Sequence, residues 1–168
     1  MLIAETARLR IREFSLTDAQ RLFELNSIPE ILTYIPGPAS NNIDDAERII
    51  REVIFSDYQK YGFGRWAVEL KQTGEVIGFC GPKYLPEFEK VELGYRYLPA
   101  LWRQGYGLEA ANAALSALAA LSTDVQDVIA LIAEGNIGSE KLARRLGMIS
   151  MGMSEYAGRP MQIFHKWL

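Results

Sequence analysis

One cysteine, Cys80, and one histidine, His165, are all that the 168 residues hold of the side chains that most often bind transition metals. A lone thiol closes no internal disulfide, and neither a thiolate cluster nor a multi-imidazole zinc site can be built from such counts. Carboxylate-bound magnesium is the only metal chemistry left open, and no metal is expected. Long apolar runs are missing too. The alanine-rich stretch over residues 110–121 is interrupted by Asn112 and Ser116 and falls short of the ~20 apolar residues of a spanning helix. The opening residues Met1, Leu2, Ile3, Ala4 and Glu5 lack the basic segment and apolar core of an export signal. A cytoplasmic protein with no membrane partner is expected. Positive charge is not in excess either: 18 Lys and Arg stand against 21 Asp and Glu, a net charge of −3, so no nucleic-acid partner is expected.

Hydrophobic residues make up 49% of the chain, too much for a disordered segment and enough to bury a core. The length suffices for one ordinary domain and not for two, so residues 1–168 are expected to form a single domain. Residues 7–14 alternate apolar and charged side chains and predict a strand with one wet face. Ser15 or Thr17 caps a helix from Asp18 to Leu25, and Pro29 starts a short helical piece through Ile31 and Tyr34. Residues 36–42 read as a loop. Asn42, with Asp44 and Asp45 behind it, opens a second helix whose stripe is Ile43, Ala46, Ile49, Ile50, Val53 and Ile54, ended by Gly62.

Residues 65–71 and 75–80 form two strands joined by a hairpin at Gln72, Thr73 and Gly74. Residues 82–86, bounded by prolines, break the pattern before a strand that begins near Glu92. A helix runs from Gly105 to Leu121, its alanines allowing close approach to a sheet. A continuous apolar strand follows over residues 125–133, then a helix with Leu142, Ala143 and Leu146, stopped by Gly147. Strands over residues 148–153 and 161–168 close the chain. The expected order is β-α-α-β-β-β-α-β-α-β-β.

The stretch over residues 92–110 organises the rest. It reads as strand, break at Pro99, glycine-bearing turn and helix start. Gly105 and Gly107 leave the first helical turn without bulky side chains, so its unpaired N–H groups can close on a phosphate or diphosphate, helped by the helix dipole and by Arg103. A tight strand-to-helix connection would use the same glycines. Gly105, Gly107 and Ala110 also fit a dinucleotide fingerprint, with Asp124 downstream. A dinucleotide-binding domain, however, places that turn after its first strand and needs several strand–helix units beyond it, whereas here hairpin-linked strands come first.

These residues resemble the GNAT superfamily of acetyl-CoA-dependent N-acetyltransferases, in its RimJ/RimL-type branch, over nearly the whole chain. Glu5-Thr6-Ala7-Arg8-Leu9 with Thr17-Asp18-Ala19 resembles the branch's opening. Glu92-Leu93-Gly94-Tyr95 with Trp102-Arg103-Gln104-Gly105-Tyr106-Gly107-Leu108-Glu109-Ala110 resembles its cofactor motif, and Asn136-Ile137-Gly138-Ser139 with Leu146-Gly147-Met148 its second motif. The resemblance implies an α/β (α+β) fold with a mixed, mostly antiparallel twisted sheet of about seven strands flanked by helices. It implies acetyl-CoA as co-substrate, an amine acceptor, and a monomer or homodimer.

On the same grounds the diphosphate of CoA would rest on Arg103, Gln104, Gly105, Tyr106, Gly107 and Leu108. The pantetheine arm would pair with Tyr95, Tyr97 and Leu98 like an added strand, and Asn136 would bond that arm, although a plain helix cap asks for the same residue. Glu92 is the candidate general base; a wet strand face would also hold a glutamate. The tyrosine that many such enzymes use as general acid is replaced here by Ala143, and Ser139 is the candidate acid by the branch's pattern, with Tyr95, Tyr97 and Tyr106 in reserve. Cys80, in an apolar strand, is a poor nucleophile. His165 is expected to pack or lie at the surface. The sequence leaves three readings: transfer of acetyl to a protein N-terminal α-amine or a small amine, an acyl-CoA-binding regulatory module without turnover, or a dinucleotide binder that would take NAD instead of CoA.

Overall fold

The computed structural model describes residues 1–35 and 39–168. Its centre is an eight-stranded sheet in the order β1-β2-β3-β4-β5-β6-β8-β7, formed by Leu2–Glu5 (β1), Leu9–Arg12 (β2), Trp66–Leu70 (β3), Val76–Leu85 (β4), Lys90–Tyr97 (β5), Asp127–Ala133 (β6), Ile149–Tyr156 (β7) and Arg159–Trp167 (β8). Helices Ala19–Leu25 (α1), Pro29–Leu32 (α2), Ile43–Ile49 (α3) and Phe55–Tyr61 (α4) precede β3, while Tyr106–Leu121 (α5) and Ile137–Arg145 (α6) follow β5 and β6. The mixed α/β class is as expected, with one strand more than the seven anticipated. The addition is β1, which lacks a period-two pattern of its own and exists because it pairs antiparallel with β2.

The apolar alternation sorts the side chains onto two faces. Trp66 and Val68 of β3 join Leu9, Ile11, Leu93 and the α5 stripe of Ala110, Ala111, Ala114 and Leu118 on one face. Ala67 joins Phe14, Ala19, Leu22, Ala46 and Ile50 beneath α1 and α3 on the other. Each fully buried leucine or isoleucine contributes about 2 kcal/mol here. Arg12 reaches back from β2 to the buried carboxylate of Asp18 with two bonds, 2.8 and 2.9 Å, and Asp18 also accepts from the Ser15 N–H at 2.8 Å. That pair ties the α1 entry to the sheet.

Two sequence expectations need correction. The strand expected to end at Cys80 continues through Pro82 to Leu85. β3 ends opposite Cys80, so beyond it the proline's missing N–H deprives no neighbouring strand of a bond. The long second helix contains a π-helical turn over Ile50–Ile54, which swings Val53 outward. Ile43, at the helix start, is likewise exposed rather than on the buried stripe. Gly62 ends α4 with φ of 75°, as its position suggested. Of the loop expected over residues 36–42, residues 36–38 lie outside the described residues.

Every neighbouring pair in the sheet is antiparallel except β5 with β6, which is parallel. That pairing consists of Val91 with Val128 and Glu92 with Ile129 only, after which the two strands separate. The fold thus opens a wedge in its own sheet, and α5 begins just past the wedge's upper end.

Candidate active site

The wedge exposes backbone. The Leu98 N–H donates to Ile77 O at 3.0 Å, so β5 residues of even number turn their amides toward β4 and those of odd number away from it. Tyr95 and Tyr97 therefore present N–H and C=O to the gap, where β6 no longer answers. Trp102 confirms the direction at one end: its indole N–H donates to Tyr97 O at 2.8 Å. This corrects the expectation for Leu98, whose N–H is already bonded to β4 and is not free for a ligand; of the two, the Tyr97 amide is the available donor.

At the top of the wedge, Arg103 (φ 63°) and Gly105 (φ 85°) adopt left-handed backbone, turning the chain sharply into α5. The N–H groups of Gly105, Tyr106, Gly107 and Leu108 make no hydrogen bond among the described residues; the first amide of the helix to be satisfied is Glu109, donating to Gly105 O at 3.1 Å. Gly107 is needed for closeness. A Cβ there would stand 3.3 Å from Leu142 and 3.4 Å from Tyr97, so the start of α5 nests against both β5 and α6. A row of open amides at a positive helix end, beside a strand with unpaired amides, fits an anionic group joined to an amide-bearing chain. The residues present therefore fit the co-substrate that the resemblance implies.

Asn136 caps α6, its Oδ1 accepting from the Ser139 N–H at 3.3 Å. The cap reading is thus realised, and the Asn136 side-chain NH2 has no partner among the described residues. Tyr95 donates its hydroxyl to Ser139 O at 3.2 Å, linking β5 to α6 across the wedge, and burial pushes its phenol well above the usual range. It acts as a strut between the two elements and stays protonated. Ser139 Oγ makes no hydrogen bond among the described residues. Ala143 is wholly buried, and the buried Tyr97 hydroxyl has only the Cys80 thiol beside it, outside ordinary bonding geometry. Burial pushes the Cys80 thiol up to about 12, which removes it as a nucleophile.

Glu92 points to the opposite face of the sheet from Tyr95, toward the α1 and α3 side. There it meets Arg65, a residue the sequence did not single out. Arg65 Nη2 bonds the Glu92 carboxylate, and Nη1 donates to Gly81 O at 2.5 Å and Glu92 O at 3.3 Å. Gly94 makes the room: a Cβ there would lie 2.3 Å from the Arg65 guanidinium. Two residues farther along, Arg96 bonds Asn26 Oδ1 at the end of α1, lies over the Phe79 ring, and keeps its buried Nε without a partner among the described residues. Burial, then the charge of Arg65, brings it down to about 10, so it stays cationic at neutral pH. Tyr156 of β7 packs its ring against Phe88 at 6.0 Å, and burial raises its phenol, with the charges of Glu87 and Glu92 adding to the effect.

His165 lies away from this cluster, bonded through Nε2 to Asp127 at 2.8 Å, and Lys90 shares the same carboxylate oxygen at 2.5 Å. A hollow bounded by Tyr61, Tyr84, Lys90 and Asp127 lies at the lower ends of β5 and β6, opposite the glycine turn. Among the described residues there is no group of three or more His, Cys, Asp or Glu side chains placed to hold a metal, and no helix is long and apolar enough to cross a membrane.

Comparison with known proteins agrees with this geometry. Residues 8–149 match the family model described as acetyltransferase (GNAT) domain. The chain is 28% identical over 153 residues to the uncharacterized N-acetyltransferase YoaA of Bacillus subtilis, covering 90% of this chain and 85% of that protein. A putative GnaT-family acetyltransferase from Bordetella pertussis superposes with a TM-score of 0.82 at 21% identity, covering 99% of each chain. RimL, the ribosomal L7/L12 α-N-protein acetyltransferase, superposes at 0.82 with 15% identity over 100% of this chain and 94% of its own; its complex with coenzyme A superposes at 0.79 with 14% identity over 100% and 98%.

Proposed function

The chain belongs to the GNAT family of acetyltransferases, and from that premise we propose that it transfers the acetyl group of acetyl-CoA to a primary amine by direct attack, without a covalent enzyme intermediate. The observation that carries this reading is the wedge between β5 and β6, lined by N–H groups of Tyr95 and Tyr97 and crowned by those of Gly105 to Leu108, all without a partner among the described residues. That RimL has a structure with bound coenzyme A supports the same ligand here. Bound acetyl-CoA supplies an activated thioester carbonyl; the chain supplies position and proton handling.

The open amides at the start of α5 hold the diphosphate, and the edge of β5 holds the pantetheine arm extended, with the free Asn136 amide as a further donor. Held this way, the thioester end lies near the closed end of the wedge, level with Glu92. The Tyr97 N–H, five residues up the strand from Glu92, bonds the arm near the diphosphate end rather than the thioester. An amine arriving from the α1 and α3 side meets Glu92, which takes its proton directly or through water. Ser139, beside the other face of the wedge and next to the Tyr95 hydroxyl, gives the proton that the departing thiolate needs.

The acceptor we favour is a protein N-terminal α-amine or a small amine. An α-amine has a reference pKa of about 7.7–8.0 against about 10.4 for lysine, so a carboxylate base has less work to do in delivering it neutral. The test is release of free CoA from acetyl-CoA across a panel of N-terminal peptides, amino acids, polyamines and aminoglycosides, with calorimetric CoA binding alongside. Acceptor-dependent release that collapses in Glu92→Gln and in Ser139→Ala supports the assignment. Tight CoA binding with no turnover on any acceptor favours a regulatory module instead, and absence of CoA binding overturns the reading.

A further inference from the structure

Glu109 poses an electrostatic problem. It sits in the first turn of α5, the same turn whose open amides would receive a diphosphate, and a bare carboxylate there would repel that ligand. The structure shows how the charge is handled. Glu109 Oε1 accepts from Thr6 Oγ1 at 2.6 Å and from the Arg8 N–H at 2.9 Å, and Oε2 accepts from Arg8 Nε at 2.7 Å. The rest of the Arg8 guanidinium continues along the turn. Nη1 donates to Gln104 O at 2.9 Å, the guanidinium lies 4.2 Å over the Tyr106 ring, and Nη2 is 3.2 Å from where a side chain at Gly105 would begin. A single arginine therefore touches residues 104, 105, 106 and 109.

Arg8 is itself anchored. It occupies the turn between β1 and β2, where the Thr6 N–H donates to Leu9 O at 2.9 Å and the Lys71 N–H to Arg8 O at 2.9 Å, while Lys71 Nζ bonds Thr6 O at 2.7 Å. Burial alone would raise the Glu109 carboxyl, but the bonds from Thr6 and Arg8 hold it below its usual range, so it is anionic whenever Arg8 faces it. The Arg8 side chain is 44% exposed, and an ion pair so open to water adds little to folding stability. Its contacts with residues 104, 105, 106 and 109 make better sense as control of the turn than as cement for the fold.

We propose that Arg8 is a positioning residue for cofactor binding. It neutralises Glu109 and fixes the carbonyl of Gln104 and the ring of Tyr106, so that the amides of the glycine turn face the diphosphate and no uncompensated negative charge does. The N-terminal strand pair is in this sense part of the CoA site, although no residue of it need touch the substrate. The proposal rests on the acetyl-CoA reading above.

The experiment uses the full chain and two ligands: CoA, which carries the diphosphate, and acetylpantetheine, which carries the arm and thioester but no phosphate. In Arg8→Gln, CoA affinity measured by calorimetry falls on the order of tenfold and the KM for acetyl-CoA rises in step, while kcat, the KM for acetylpantetheine and the melting temperature stay near wild type. Arg8→Gln/Glu109→Gln binds CoA more tightly than Arg8→Gln alone, because the exposed carboxylate has gone. A purely structural role predicts the reverse for the double variant and equal losses for both ligands; either result overturns the proposal, as does unchanged CoA affinity in Arg8→Gln. Wild-type protein that binds neither ligand overturns the acetyl-CoA reading itself, an outcome distinct from all of these.

Discussion

Replacing Glu92 with glutamine separates the catalytic role proposed for this carboxylate from the structural role it plays. Glu92 is the proposed base, and it is also the partner of Arg65, with side chains 13% and 17% exposed. Removing one charge from a buried pair costs about 3–5 kcal/mol. The residual solvent access and the bond from Arg65 to Gly81 O, which survives the change, bring this to roughly 2–3 kcal/mol. For a chain of this length that is a fall in melting temperature of roughly 5–10 °C. Loss of a general base lowers kcat by about 10²–10⁴-fold. The double variant Arg65→Met/Glu92→Gln distinguishes the effects, because removing both partners of a buried pair is far less costly than removing one. A large part of the melting temperature returns and none of the turnover does. The assay pairs thermal unfolding with acceptor-dependent CoA release at a temperature where every variant is folded. Glu92→Gln protein with wild-type kcat and KM would refute the catalytic assignment and leave Glu92 as a structural partner of Arg65.

Asp18→Asn removes the buried end of the Arg12 pair and lowers unfolding free energy by about 3 kcal/mol in denaturant titration, with activity kept below the transition. Burial alone would raise the Asp18 carboxyl, but bonds from Arg12 and Ser15 hold it below its unfolded value, so its contribution is complete above the ordinary carboxylate range and disappears as pH falls through the depressed folded value; the Asn variant lacks that acid-dependent segment. Tyr97→Phe deletes a buried hydroxyl whose one polar neighbour is the Cys80 thiol, a weak partner outside ordinary bonding geometry, so the melting temperature changes by no more than a few degrees, and a larger fall would mean that the hydroxyl is firmly bonded. Gly94→Ala places a Cβ against the far end of the Arg65 side chain and drives it off Glu92; unfolding free energy falls by at least the roughly 2–3 kcal/mol of the broken pair and turnover falls at least tenfold, whereas unchanged turnover would show that the pair is not needed.

The parts of this fold that the sequence announces are those whose cause is local. The charged alternation from Arg8 to Arg12, the glycine that ends α4 and the open turn before α5 each carry their reason within a few residues, and each is where it was expected. The parts it conceals depend on partners far away. β1 is a strand because β2 is beside it, and β4 passes through Pro82 because β3 has already ended. Arg65 and Glu92 are 27 positions apart, and Arg8 and Glu109 are 101, so neither pair has a spacing that periodicity can detect.

One trace of the first pair was nonetheless present. Gly94 interrupts an otherwise well-filled strand, two residues after the candidate base, and glycine inside a strand marks a close approach by another group. Its backbone is not in the left-handed region, so conformational freedom does not explain it. Space does. The missing side chain is the volume occupied by the Arg65 guanidinium, which makes the glycine of the Glu92-Leu93-Gly94-Tyr95 motif part of the apparatus that holds the carboxylate. The same argument extends to the wedge. Tyr95 and Tyr97, just after Gly94, turn their rings to the α5 side and their amides to the gap, while Glu92 and Arg96 turn their side chains to the α1 side, so the two faces of one strand carry the proposed binding and the proposed acceptor chemistry separately. A shift of β5 by one residue would exchange those duties. Its eight-residue register against β4 is therefore as much a requirement of the proposed activity as any single side chain.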